Sequence, residues 1–234
     1  MNILSFKKLC LIFGATLLFT GTSIAQGDAE DQRTSFGIRA GVNFQNINGK
    51  DGSGDKLENE LATRFHVGVQ ADIPIAPEFY FQPGLLFTTK GAKNETINLE
   101  QPAPSDLNIS YLELPLNFLY KPMLGNGHLL LGVGPYVAYG IGGKAKFEGG
   151  GTTLTQDVKF DNTVTLPEVT EDYYVRPFDA GANLFVGYQF VNGLFFQLNT
   201  QLGLMNINPD FEGVPENDSA YKNTGFGLSV GYGF

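Results

Sequence analysis

Residues 223–234 read NTGFGLSVGYGF. From Gly225 onward two kinds of residue alternate. Phe226, Leu228, Val230, Tyr232 and Phe234 fall on one parity, and Gly225, Gly227, Ser229, Gly231 and Gly233 on the other. A period of two marks a strand with unlike faces. The chain stops inside that strand, on an aromatic residue. A chain can end this way if its last strand closes a barrel by pairing with the first, so that both edges of the strand find backbone partners.

The same alternation recurs in seven earlier segments, from FGIRAGVNF (36–44) to LFFQLNTQLGL (194–204). FHVGVQADI sets Phe65, Val67, Val69, Ala71 and Ile73 against His66, Gly68, Gln70 and Asp72. FDAGANLFVGYQF sets Phe178 through Phe190 at even positions against Asp179, Asn183 and Gln189. The apolar faces carry no charge, whereas Arg39, Asp72, Lys90, Glu113 and Asp179 all occupy the opposite face. Alternation alone does not say which face is inside. A soluble lipocalin-like barrel buries the apolar face, and a membrane barrel turns it to lipid.

Three features favour lipid. Connections alternate between tight turns (74–78, 121–127, 191–193) and long acidic segments (45–61, 91–109, 142–175, 206–223), as in barrels with short periplasmic turns and long external loops. Aromatics collect at both strand ends: Phe36, Phe79, Tyr120, Phe190 and Phe234 near the short turns, and Phe44, Phe65, Phe87, Tyr139 and Phe178 near the long loops. Each segment also has roughly 9–11 residues, enough for a tilted strand to cross the hydrocarbon layer. The expected fold is an all-β, eight-stranded antiparallel up-and-down transmembrane barrel over residues 36–234. Pro83, Pro115 and Pro135 lie in interior strands, where proline has no ladder donor, so bulges are expected there. They also keep a soluble sandwich open as an alternative.

The first 25 residues read as a secretory signal: Lys7 and Lys8, an apolar run from Leu9 to Phe19, and the small-x-small site Ser23–Ala25. A short segment, 26–35, then precedes the barrel. The one cysteine, Cys10, falls within the signal, so no disulfide is expected in the mature chain. The formal charge of −9 becomes more negative once Lys7 and Lys8 are removed. This argues against nucleic acid or an anionic membrane surface as partner.

FYFQPGLLFTTKGAK followed by ISYLELPLNFLYKP resembles the PorT-like outer-membrane β-barrel family of Bacteroidota. The shared features are Lys90-Gly91, the Tyr111-Leu112-Glu113-Leu114-Pro115-Leu116 strand, and the Gly-rich strand at 129–144. The resemblance implies the barrel fold and residence in the outer membrane. It carries no functional residue pattern, so the namesake's secretion role does not transfer with it. The terminal Tyr232–Phe234 pattern resembles the signature read by the barrel-assembly machinery.

Chemistry-bearing residues are sparse. His66 and His128 belong to opposite rims, no Gly-x-Ser-x-Gly stretch is present, and Thr63 is the only local hydroxyl beside His66. No catalytic residue is expected. Asp51–Glu60 begins like a calcium loop, but Lys56 stands where glycine is needed and Ala62 where the bidentate glutamate belongs. It reads as a solvated acidic loop, with no metal or cofactor. Arg39 and Asp72, on adjacent strands, are expected to form an ion pair in the lumen. The reading is a non-enzymatic structural or interaction protein, accessory to secretion or surface assembly, with outer-membrane lipid, the assembly machinery and a protein at the external loops as partners. A small solute channel is the first alternative and an outer-membrane enzyme the second.

Overall fold

The computed structural model describes residues 33–50, 54–93, 104–149, 151–165, 168, 172–213 and 219–234. The signal, most of the 26–35 segment and the first residues of the calcium-like loop lie outside the described residues. Eight long strands form the wall: β1 (Ser35–Lys50), β2 (Ala62–Ala76), β3 (Phe79–Lys90), β4 (Asp106–Tyr120), β5 (Gly127–Gly149), β6 (Phe178–Phe190), β7 (Leu194–Gly203) and β8 (Ala220–Gly233). Each pairs antiparallel with its sequence neighbours, and β8 pairs with β1 from Gly37↔Gly233 to Lys50↔Ala220. The ring is therefore closed. Phe234 donates its N–H to the Phe36 carbonyl at 2.8 Å, and Phe36 returns a bond to Phe234 O at 3.2 Å. Closure satisfies every edge, which is what a sheet in lipid requires.

The alternation sorts as expected. On β8, Leu228, Tyr232 and Phe234 are 54%, 46% and 70% exposed, while Ser229 is 5% exposed. Outward aromatics pair across neighbouring strands: Phe79 with Tyr120 at 4.8 Å and Phe44 with Phe226 at 5.2 Å are stacked, and Tyr139 meets Phe178 edge to face at 5.1 Å between ring centroids. Cross-strand aromatic pairs of this kind stabilise a sheet by roughly 0.2–1 kcal/mol each. The β6–β7 turn needs Gly193, whose φ is +88° and whose Cβ would lie 2.3 Å from the Gly233 carbonyl.

Two expectations require correction. The register runs unshifted past all three prolines, with Pro83↔Leu116, Pro115↔Tyr136 and Ala182↔Pro135 in line. A missing N–H removes a ladder bond without requiring an extra residue, so the sheet skips rungs and does not bulge. The irregularities lie between Pro74 and Ala76, and at Ile141, which is extra between Tyr111↔Gly140 and Ser110↔Gly142. The long loops are also shorter than read. β1 and β8 stay paired through Gln45–Lys50 and Ala220–Gly225, and Thr152–Phe160 folds back on Lys144–Gly149 as a hairpin. Beyond the lipid boundary both faces of a strand are wet or packed by loops, so the apolar alternation that marks a strand disappears.

Candidate functional site

The inward faces build a filled lumen, described here from the periplasmic end outward. At the bottom, Asp72 accepts from Lys121 Nζ at 3.1 Å and from Gln82 Nε2 at 2.9 Å. Above it Leu119, Leu130, Phe185 and Phe195 form a buried apolar layer, with Tyr80 packed against it. Two inward glycines make room for the rings: a Cβ on Gly132 would lie 2.0 Å from Phe185, and one on Gly231 would lie 2.2 Å from Phe195.

The next layer is polar. Arg39, Asn43, His66, Asn117, Asn199 and Gln201 help to line a cavity of about 20 Å³, room for a single water. Above it lies a cluster of buried charges. Lys90 Nζ is 2.9 Å from Glu113 and 3.1 Å from Asp179, and it sits 4.0 Å over the Tyr136 ring. Asn223 Nδ2 donates to Asp179 at 3.1 Å, and Gln201 Nε2 donates to Glu113 at 2.7 Å. Lys90, Glu113 and Asp179 are each 0% exposed. Arg39 faces Glu113 across the cavity, so two cations balance two carboxylates and the lumen carries no net charge at this depth. Charges so enclosed persist only when paired and hydrogen-bonded.

The external end is closed by an apolar cluster. Wall residues Ile47, Leu107, Ile109, Tyr111 and Tyr136 pack with Leu57, Val158, Tyr173, Val175 and Ile207 from the external segments. The segment after Asp51 is thus not wholly solvated, since Leu57 turns inward and donates its N–H to Gly49 O at 3.1 Å. Arg176–Asp210 and Arg64–Asp106 tie further parts of the external rim together.

The Arg39–Asp72 pair does not form. Both point into the lumen, so the register read from parity holds. However, Arg39 is level with Gly68, whereas Asp72 is level with Ser35. Four strand steps, about 13 Å, separate them, and the apolar layer lies between. Asp72 takes Lys121 as its partner instead. His66 is not paired with Thr63. Its Nδ1 lies 2.8 Å from Asn43 Oδ1 and its Nε2 2.9 Å from Ser229 Oγ, which also has Asn199 Oδ1 within 3.0 Å. Because Asn43 Nδ2 donates to Thr88 Oγ1 at 3.2 Å, its Oδ1 is left to accept the Nδ1 proton. Serine, imidazole and amide follow one another, but the Ser229 hydroxyl donates to Asn199 Oδ1, so its one proton is not offered to the imidazole as a nucleophile–base pair requires. Ser229 is also buried, and the adjoining cavity admits only a water-sized guest. The sequence signal was present but distant: Gly41 lies level with His66 on one side and Ser229 on the other, and its missing Cβ would fall 2.6 Å from the imidazole. His128 stays apart at the periplasmic mouth, beside Lys121 and Phe234.

Similar architectures occur among solved outer-membrane proteins. Ail of Yersinia pestis shares 12% identity over 86% of this chain and 99% of its own (TM-score 0.37). The outer membrane protein OprG of Pseudomonas aeruginosa shares 12% over 87% and 97% (TM-score 0.43). Neisserial surface protein A shares 10% over 86% and 99% (TM-score 0.38). No curated protein sequence matches the chain. The sequence pattern of the outer membrane protein beta-barrel domain matches residues 24–208. With the closed ring and its lipid-facing apolar girdle, this places the protein in the outer membrane and makes the chain a member of the outer membrane protein beta-barrel domain family.

Proposed function

We propose that the protein is a non-conducting, non-enzymatic barrel that serves as a structural or interaction platform in the outer membrane, accessory to secretion or surface assembly. One observation carries this reading: the lumen is filled in series by an apolar layer, a neutral charge cluster and an external apolar cluster. Eight strands enclose a space that side chains can fill, and these side chains fill it. A barrel without a path through it works through its surfaces, and the external segments rise beyond the lipid-facing span of the wall. The Lys90-Gly91 and Tyr111–Leu116 motifs support placing it with the PorT-like barrels of Bacteroidota. The outward Tyr232 and Phe234 of the closing strand support recognition by the barrel-assembly machinery. Conductance tests the reading. Purified protein in planar bilayers is expected to give no steady current above that of the empty bilayer. Stable ion-selective openings that change in Glu113→Gln would replace this reading with the solute channel.

A further inference from the structure

The bulge at Ile141 decides what the external end of β5 shows to the membrane. Up to Ile141 the odd-numbered residues face lipid, with Val137, Tyr139 and Ile141 about half exposed. After the extra residue the parity reverses. Ala145 is fully buried in the external cluster, and Lys144 and Lys146 are exposed on the outer wall. Without the bulge both ammonium groups would point into that apolar cluster. Across the hairpin Asp157 is level with Lys144, and strand alternation puts the exposed Lys159 on the same outer face.

Height follows from the register. Tyr139 and Phe178 form the outward aromatic pair at the external interface. Allowing for the bulged residue, Lys159, Lys144 and Lys146 stand two, four and six strand steps above Tyr139. On a wall tilted by about 40° that is roughly 5, 10 and 15 Å along the membrane normal. The headgroup layer of one leaflet is about 5–7 Å deep, so Lys159 falls within it, while Lys144 and Lys146 stand above it on flexible stems that can extend toward it. Lys144 pairs with Asp157 at 3.2 Å, whereas Lys146 and Lys159 have no carboxylate within 4.0 Å among the described residues. Asp106 is level with Lys146 and Glu148 shares its parity, yet neither carboxylate lies within 4.0 Å of its ammonium group, so a chain with a net charge of −9 leaves two unpaired cations on one outward face, at and above headgroup height.

We propose that Lys144, Lys146 and Lys159 form a binding site for a phosphorylated lipid headgroup of the outer leaflet. Basic side chains at a membrane surface attract anionic headgroups one by one within a Debye length, so net charge, which argues against an anionic surface, does not govern this patch. Full-length protein extracted from outer membranes would be titrated in neutral detergent with diphosphorylated lipid A, with its dephosphorylated counterpart and with inorganic phosphate, and adducts counted by native mass spectrometry. The expected result is at least tenfold tighter retention of the phosphorylated lipid. That preference should be lost in the K144Q/K146Q/K159Q variant and kept in a K50Q/K56Q control, both variants remaining heat-modifiable. If the triple variant fails to assemble, Lys159→Gln alone should weaken retention several-fold. Equal binding of the two lipids, or an unchanged preference in the lysine variant, would overturn the proposal. Displacement by millimolar inorganic phosphate would also overturn it, by making the site one for free phosphate.

Discussion

Two residues measure how tightly the lumen is built. Lys90 is enclosed between two carboxylates, so Lys90→Met leaves Asp179 without a cation and Glu113 with only Arg39 across the cavity. Unfolding of the assembled barrel in urea should show a loss of about 3–5 kcal/mol. Most of that loss should return in the K90M/D179N variant, which removes the stranded carboxylate and leaves Arg39 facing Glu113. A double variant no more stable than Lys90→Met would mean that the cluster is wet and weakly coupled. Gly41 makes the complementary case. Its absent Cβ lets the His66 ring lie across to Ser229, and an added methyl would also sit 2.1 Å from the Leu228 carbonyl. Gly41→Ala is expected to destabilise by about 1–3 kcal/mol, as overpacking does, and Ser229→Ala by a comparable amount, since it removes the hydrogen bonds to His66 and Asn199. A loss in Gly41→Ala far below that in Ser229→Ala in the same urea series would make the hydroxyl, and not the space, the important feature. Little of this was legible in sequence. His66 and Ser229 are separated by 163 positions and Lys90 and Asp179 by 89, and parity assigns a side chain to the lumen without giving its depth. The Arg39–Asp72 expectation failed on depth alone.

At the scale of elements, lipid made the wall readable. A strand crossing the bilayer has one face fixed as apolar by the solvent, so the central span of each strand is visible as alternation, and the closing role of β8 is carried by its pairing with β1. Past the lipid boundary that constraint lapses, which is why Gln45–Lys50 and the Thr152–Phe160 hairpin read as loop yet pair as strand. The prolines misled for a related reason: a lost donor is a local property, whereas register is set by every rung of the strand together. The closing strand carries a prediction of its own. Phe234 contributes two backbone bonds to Phe36 and an outward ring that is 70% exposed, a contact with lipid worth about 1–2 kcal/mol. Deleting it should reduce the yield of heat-modifiable barrel in cells far more than refolding into detergent, because the proposed recognition of the terminal strand would act on the cellular route alone. Equal losses in the two assays would assign Phe234 to stability alone.

For the whole molecule, the order of the layers matters more than any one of them. An ion crossing the lumen meets the Phe185–Phe195 layer, then the Lys90–Glu113–Asp179 cluster, then the external cluster around Tyr111, Tyr136 and Ile207. Barriers in series do not open one at a time. Glu113→Gln removes a charge and leaves both apolar layers in place. The F185A/F195A variant hollows the inner layer and leaves the charge cluster and the external cluster closed. Neither should conduct in planar bilayers, although the second should be less stable by several kcal/mol, each buried phenylalanine lost costing roughly 3–5 kcal/mol. A single-layer variant with steady openings would mean that the remaining layers move aside spontaneously, and the barrel would then be a gated channel whose closed form is the one described. Silence in both, with assembly confirmed by heat-modifiability, would assign the work of this protein to its outer surfaces.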